Sequence, residues 1–223
     1  MTVSEAKFEA YCSANAIPYS RINTGEGKTP DYEIILEGQR TVVEIKEIRL
    51  NADELKAKRE MDEIGHASWG TDKFGARIRY KIDGSKRQLE AMTAGQHPGI
   101  LVLYDARPQP FCGISPTEIA VAMYGALTVV FHPPKEMGKP LVFDREKFGE
   151  GKKLRHDKHN YISALAVLQE QGPENSLHLY IYHNIYASRP LPLDLLVKRK
   201  DITLYTIDGR KGDQFQNWSQ IVE

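Results

Sequence analysis

The sequence predicts an α/β fold in which a central mixed β-sheet is flanked by helices and carries extra C-terminal strands. Three observations lead there. Two β-prone runs, at 30–36 and 41–46, are joined by the polar, glycine-bearing turn Glu37-Gly38-Gln39-Arg40, which reads as a hairpin. The apolar run at 99–105 follows a helical pattern, so it predicts a buried strand reached by a parallel crossover. Beyond it the chain adds short β-prone runs with no break in composition.

In chain order, Ser4 is placed to cap a helix ending near residue 15, with Phe8, Tyr11, Cys12 and Ala16 as its buried stripe. Cys12 is there a core thiol rather than a nucleophile. Ile17-Pro18 ends the helix, 19–23 reads as a short strand, and 24–29 as a flexible approach to Pro30. Residues 51–63 are rich in helix formers and 64–75 reads as a mobile loop, and the whole stretch 51–75 is expected to be the most mobile internal segment and to close over substrate. Trp69 and Phe74 within it either anchor the loop on the core or stack on bases, with His66 and Lys73 beside phosphates. A further helix is expected over 76–92, with Ile78, Ile82, Leu89 and Met92 on the buried face and Arg77, Lys81, Ser85 and Gln88 on another. After a helix at 116–123 and a strand at 126–131, two strands at 162–168 and 177–182 form a hairpin, and segments 193–197 and 202–207 finish the fold. The reading is one domain over 1–223, with a core of about 1–105 and elaborations over 106–223.

Of 223 residues, 30 are Lys or Arg and 30 are Asp or Glu, which argues against a broadly basic nucleic-acid binder and leaves room for a local basic groove. Two distant cysteines suggest no disulfide framework. With no apolar N-terminal leader and no membrane-length apolar run, a cytoplasmic setting without a membrane partner is expected. Homodimerisation is left open.

The chemistry concentrates in the first hairpin. Glu44 and Lys46 continue a strand that looks buried, and alternation puts both on one face while Ile45 points the other way. Charged groups there are expensive unless paired or used. Asp31 opens the partner strand beside them. Two carboxylates with a backbone carbonyl between them are the hard oxygen donors that Mg²⁺ prefers, and a neighbouring lysine can orient a water or hold a phosphate.

Pro30-Asp31, twelve intervening residues, then Glu44-Ile45-Lys46 resembles the PD-(D/E)XK motif of the restriction-endonuclease-like nuclease superfamily. The resemblance covers about the first half of the chain. It implies a restriction-endonuclease-like core in the order helix, three strands, helix, strand. It also implies hydrolysis of DNA phosphodiester bonds, DNA rather than RNA, by an endonuclease of restriction, repair or defence. The cofactor would be Mg²⁺, with Mn²⁺ as a substitute, on Asp31, Glu44 and the Ile45 carbonyl, and Lys46 would orient the attacking water. A glutamate early in the first helix joins such sites. Glu5 takes that place, and Glu9, one turn on, is the alternate. Gln88 matches the superfamily's polar residue near the scissile phosphate, with Lys81 earlier on the same face as a nucleic-acid contact. Lys152, Lys153, Arg155 and Lys158 form a basic segment suited to phosphates. His156 and His159 within it read as loop residues rather than metal ligands. The competing expectation is a catalytically inactive nucleic-acid-binding or sensing module on the same fold.

Overall fold

The computed structural model describes residues 1–22, 29–70, 74–93, 96–134, 136, 138–172, 174 and 176–223. Helix α1 (Val3–Ala14) starts from a capping box. Thr2 Oγ1 accepts the Glu5 N–H, and the Glu5 carboxylate accepts the Thr2 N–H. Thr2 therefore caps in place of Ser4, which is buried and donates its N–H to Glu47 Oε2 at 3.1 Å. Strands β1 (Tyr19–Arg21), β2 (Tyr32–Leu36) and β3 (Gln39–Ile48) form an antiparallel meander. Asn23, the expected end of β1, lies outside the described residues.

Helices α2 (Ala52–Ile64), α3 (Ala76–Gly84) and α4 (Lys86–Thr93) make the crossover to β4 (Gly99–Asp105), which runs parallel to β3. After α5 (Pro116–Tyr124) come β5 (Leu127–His132) and β6 (Val142–Phe148), then β7 (Ile162–Gln171) and β8 (Ser176–His183). The short α6 (Leu193–Leu196), β9 (Ile202–Thr206) and β10 (Ser219–Ile221) complete the chain. The main sheet has eight strands in the order β1-β2-β3-β4-β7-β8-β9-β10. It is mixed: β3–β4, β4–β7 and β8–β9 are parallel and the other pairs antiparallel.

Strand alternation gives the sheet two apolar faces. Val43, Ile45, Ile100 and Val102 pack with Phe8, Tyr11 and Cys12 of α1 on one side, where Leu196 of α6 also lies. Cys12 is buried in that core. On the other side, Val42, Leu101 and Leu103 meet Ile78 and Ile82 of α3, Leu89 of α4 and Ile119 of α5. Among the described residues no helix is long and apolar enough to cross a membrane.

Three local expectations change. The single helix over 76–92 is two helices, broken where Gly84 and Ser85 meet. Both are weak helix formers, and Ser85 Oγ bonds the Ile82 carbonyl at 2.8 Å. The strand at 126–131 is present, but β5 pairs only with β6 in a separate two-stranded sheet outside the main one. Segment 193–197, left unassigned by the sequence, is the short helix α6 over Leu193–Leu196. Of the loop expected at 64–75, Ile64 belongs to α2 and Gly65 ends that helix in a left-handed conformation at φ 78°. The Trp69 ring then packs 4.5 Å from that of Phe111, so Trp69 is an anchor, and Lys73 lies outside the described residues.

Phe8 holds α1 to the sheet, with its ring centroid 5.3 Å from that of Tyr32. Phe8→Ala should lower the unfolding free energy by about 3–5 kcal/mol, read as a shifted urea midpoint at unchanged slope.

Candidate active site

Strand β3 sets the geometry. Val43 and Ile45 face α1, so Val42, Glu44 and Lys46 face the α3–α4 side. The antiparallel register pairs Tyr32 with Val43, so one step on it brings Asp31 opposite Glu44. Asp31 Oδ2 accepts the Ile45 N–H at 2.7 Å, and the Asp31 and Glu44 carboxylates lie within hydrogen-bonding reach of each other.

Glu44 is fully buried, the most costly place on the strand for a charge. Its Oε1 is satisfied twice, by the Lys46 ammonium and by Gln88 Nε2 at 2.7 Å. Its Oε2 is buried with no hydrogen-bond partner. Burial first, and then the charge of Asp31, push the Glu44 carboxyl up to about 7, against the pull of Lys46. Burial also raises Asp31, offset by the Ile45 N–H and by Lys46. The two carboxylates thus repel each other, and one lysine offsets that only in part.

The broken helix places the remaining groups. Gln88, on α4, reaches over β3 to Glu44. Lys81, on α3, lies instead in a recess with Glu47, Arg49, Arg77 and Tyr80, beyond the Lys46 end of the site. Burial, and then the charges of Lys46, Arg77 and Arg49, lower its pKa. Glu5 acts electrostatically on Asp31, but its carboxylate also closes the capping box and lies 3.7 Å from Arg21 Nη1. Glu9 is turned elsewhere: it accepts from the Tyr32 hydroxyl at 2.6 Å and from Arg21 at 2.9 Å. Of the two helix glutamates, Glu5 is the one whose charge acts on Asp31.

Lys152, Lys153, Arg155 and Lys158 line a separate recess with Gly149 and Gly151. Two of the four charges there are already engaged, Lys153 with Asp83 and Arg155 with Asp157. Lys152 and Lys158, both half-buried, have no ion pair among the described residues, and the acidic Glu150 lines the same recess. His156 packs edge-on to Tyr186 at 4.5 Å, and the His159 ring is buried beside Tyr161 and Asp83, so both are structural residues. Sequence reasoning passed over Glu47, which ties the start of α1 to the end of β3 and also pairs with Arg49. Its position directly after the motif lysine was the signal available.

No family model matches the chain, and neither does any curated protein or solved structure. The site must therefore be read from its own chemistry. Its side-chain oxygen donors are the Asp31 and Glu44 carboxylates, and the partnerless buried Glu44 Oε2 is the feature a hard cation would complete. Among the described residues no group of three or more His, Cys, Asp and Glu side chains gathers to hold a metal, so other ligands would be water and substrate oxygens.

A raised carboxyl has a defined effect on stability. Free glutamate titrates near 4.5, whereas folded Glu44 titrates near 7. The folded state therefore holds the proton longer, and its contribution is fully present below 4.5 and lost as pH rises through about 7. In EDTA, Glu44→Gln should gain melting temperature relative to wild type progressively over that window. The check is paired thermal unfolding across pH, where parallel curves would remove the repulsion account.

Proposed function

We propose that the protein is a metal-dependent nuclease that hydrolyses DNA phosphodiester bonds. The observation that carries this reading is the buried Asp31–Glu44–Lys46 constellation with its unsatisfied Glu44 oxygen. The topology supports it: α1, a three-strand meander, a helical crossover and a strand parallel to β3 follow the order of the restriction-endonuclease-like core.

Asp31, Glu44 and the Ile45 carbonyl would hold Mg²⁺, or Mn²⁺ in its place. The cation supplies Lewis acidity toward the phosphate and lowers the pKa of water. The chain's own groups do the rest. Gln88 and Lys46 fix the Glu44 carboxylate through Oε1, and the partnerless Oε2 is the oxygen a cation would take. The Ile45 N–H holds one oxygen of Asp31, so that carboxylate is positioned before substrate arrives. The Lys46 ammonium orients the attacking water and offsets negative charge developing on the phosphate oxygens. Water adds to phosphorus and gives up a proton to solvent, the P–O ester bond breaks, and the leaving oxygen takes up a proton from solvent water.

Asp31→Ala, Glu44→Ala and Lys46→Ala should each lower cleavage of plasmid and oligonucleotide DNA about a hundredfold or more in Mg²⁺ or Mn²⁺ while the protein stays folded. EDTA should abolish cleavage by the wild type. Wild-type rates in any of the three would sink the assignment and favour an inactive binding or sensing module. Asp31→Asn removes one charge and one ligand. It should melt no lower than wild type in EDTA and gain little from millimolar metal, whereas wild type should gain clearly.

A further inference from the structure

We propose that the recess beyond Lys46 is a nucleotide subsite for single-stranded nucleic acid, with Lys81, Arg77 and Arg49 gripping a phosphate and the Tyr80 ring stacking on a base. The inference rests on the nuclease reading and adds to it the class of substrate.

The recess measures about 500 Å³ and opens at the end of β3, between that strand and α3. Arg77, Tyr80 and Lys81 stand at i, i+3 and i+4 of α3 and so share one side of it, while Ile78 and Ile82 face the core. Among the described residues no carboxylate pairs with Lys81, and the charges that act most on it are those of Lys46, Arg77 and Arg49. Arg77 gives one nitrogen to Glu54 at 2.9 Å and keeps Nη1 buried without an acceptor. Glu47, the carboxylate lining the recess, is already engaged by Arg49 and the Ser4 N–H. Arg49 and Arg77 each have a carboxylate partner and Lys81 has none among the described residues, so the recess holds more positive than negative charge. A phosphate group supplies the missing charge and acceptors for the Lys81 ammonium.

Tyr80 decides what surrounds that phosphate. Its side chain is 76% exposed beside the cations, where packing does not require a large ring. An aromatic face next to a phosphate grip is the arrangement that binds unpaired strands, because only an unstacked base can offer its own face. Bases inside an intact duplex are already stacked on one another. The substrate would thus be a single strand, a frayed end or a flap, threaded past Lys46 toward Glu44.

The test uses the whole chain in EDTA, with a short fluorescein-labelled DNA strand and the same sequence as a blunt duplex. The strand should bind more tightly than the duplex. Tyr80→Ala should weaken strand binding about tenfold and leave duplex binding unchanged, and Tyr80→Phe should bind as wild type does. Lys81→Ala should lower the slope of log affinity against log salt by about 0.7, with Lys81→Arg restoring it. Preference for duplex, or wild-type strand affinity in Tyr80→Ala, would overturn the subsite. Cleavage in Mg²⁺ is scored separately. Strand binding of this kind without cleavage would remove the nuclease reading and leave the subsite standing. Cleavage with both alanine variants behaving as wild type would do the reverse.

Discussion

A carboxylate fully buried at the centre of a sheet sets the terms for everything around it. Glu44 lies on β3, between β2 and β4, where apolar residues would pack at lower cost. Its neighbours compensate only in part. Lys46 and Gln88 satisfy one oxygen, the other stays bare, and Asp31 adds a second negative charge at close range. A purely structural solution would have balanced these charges. The imbalance is what the proposed cation would offset.

The framework that holds this imbalance in place is built from ordinary polar ties at the sheet's margins. Ser4 and Glu47 join the start of α1 to the end of β3. The Tyr11 hydroxyl donates to Asp201 at 2.6 Å, and Arg199 binds both Asp201 and Glu37, which links α1 and the β2–β3 turn to the chain before β9. On the opposite side, Glu54 receives Arg77 and Arg107, and Arg107 also grips Asp105 at the end of β4. The first helix, the crossover helices and both ends of β3 are thereby fixed relative to one another, so the site's side chains need little reorganisation to act.

The hairpin and its in-register carboxylates were legible because strand periodicity fixes which residues share a face, and a charged pair on a buried face stands out. The parallel strand 99–105 was legible as an uninterrupted apolar run after a helix. The break at Ser85 was not, because the apolar spacing of Ile78, Ile82 and Leu89 continues through it. Gly84-Ser85 was the local signal, and it separated Lys81 from Gln88. The capping residue was misplaced because Thr2 and Ser4 are equally suited by type, and only the reciprocal Thr2–Glu5 pairing chooses between them. The fate of β5 was illegible for a different reason: a β-prone run says nothing about which strand it will pair with, and long-range pairing is a tertiary property.

The β5–β6 hairpin has a consequence for how the protein behaves in bulk. It stands apart from the main sheet, and Leu127, Val129, Phe131, Val142 and Phe143 are exposed along it. The β5 sequence Leu-Thr-Val-Val-Phe-His contains no acidic or basic residue other than its final histidine, and no proline, so its outer edge lacks the usual features that turn away a second strand. With equal numbers of acidic and basic residues and an isoelectric point near 7.1, the molecule has almost no net repulsion at neutral pH to keep copies apart. An approaching copy would therefore meet little long-range repulsion at that edge near neutral pH. A lysine or glutamate on the β5 edge would put a charge in the path of a pairing strand.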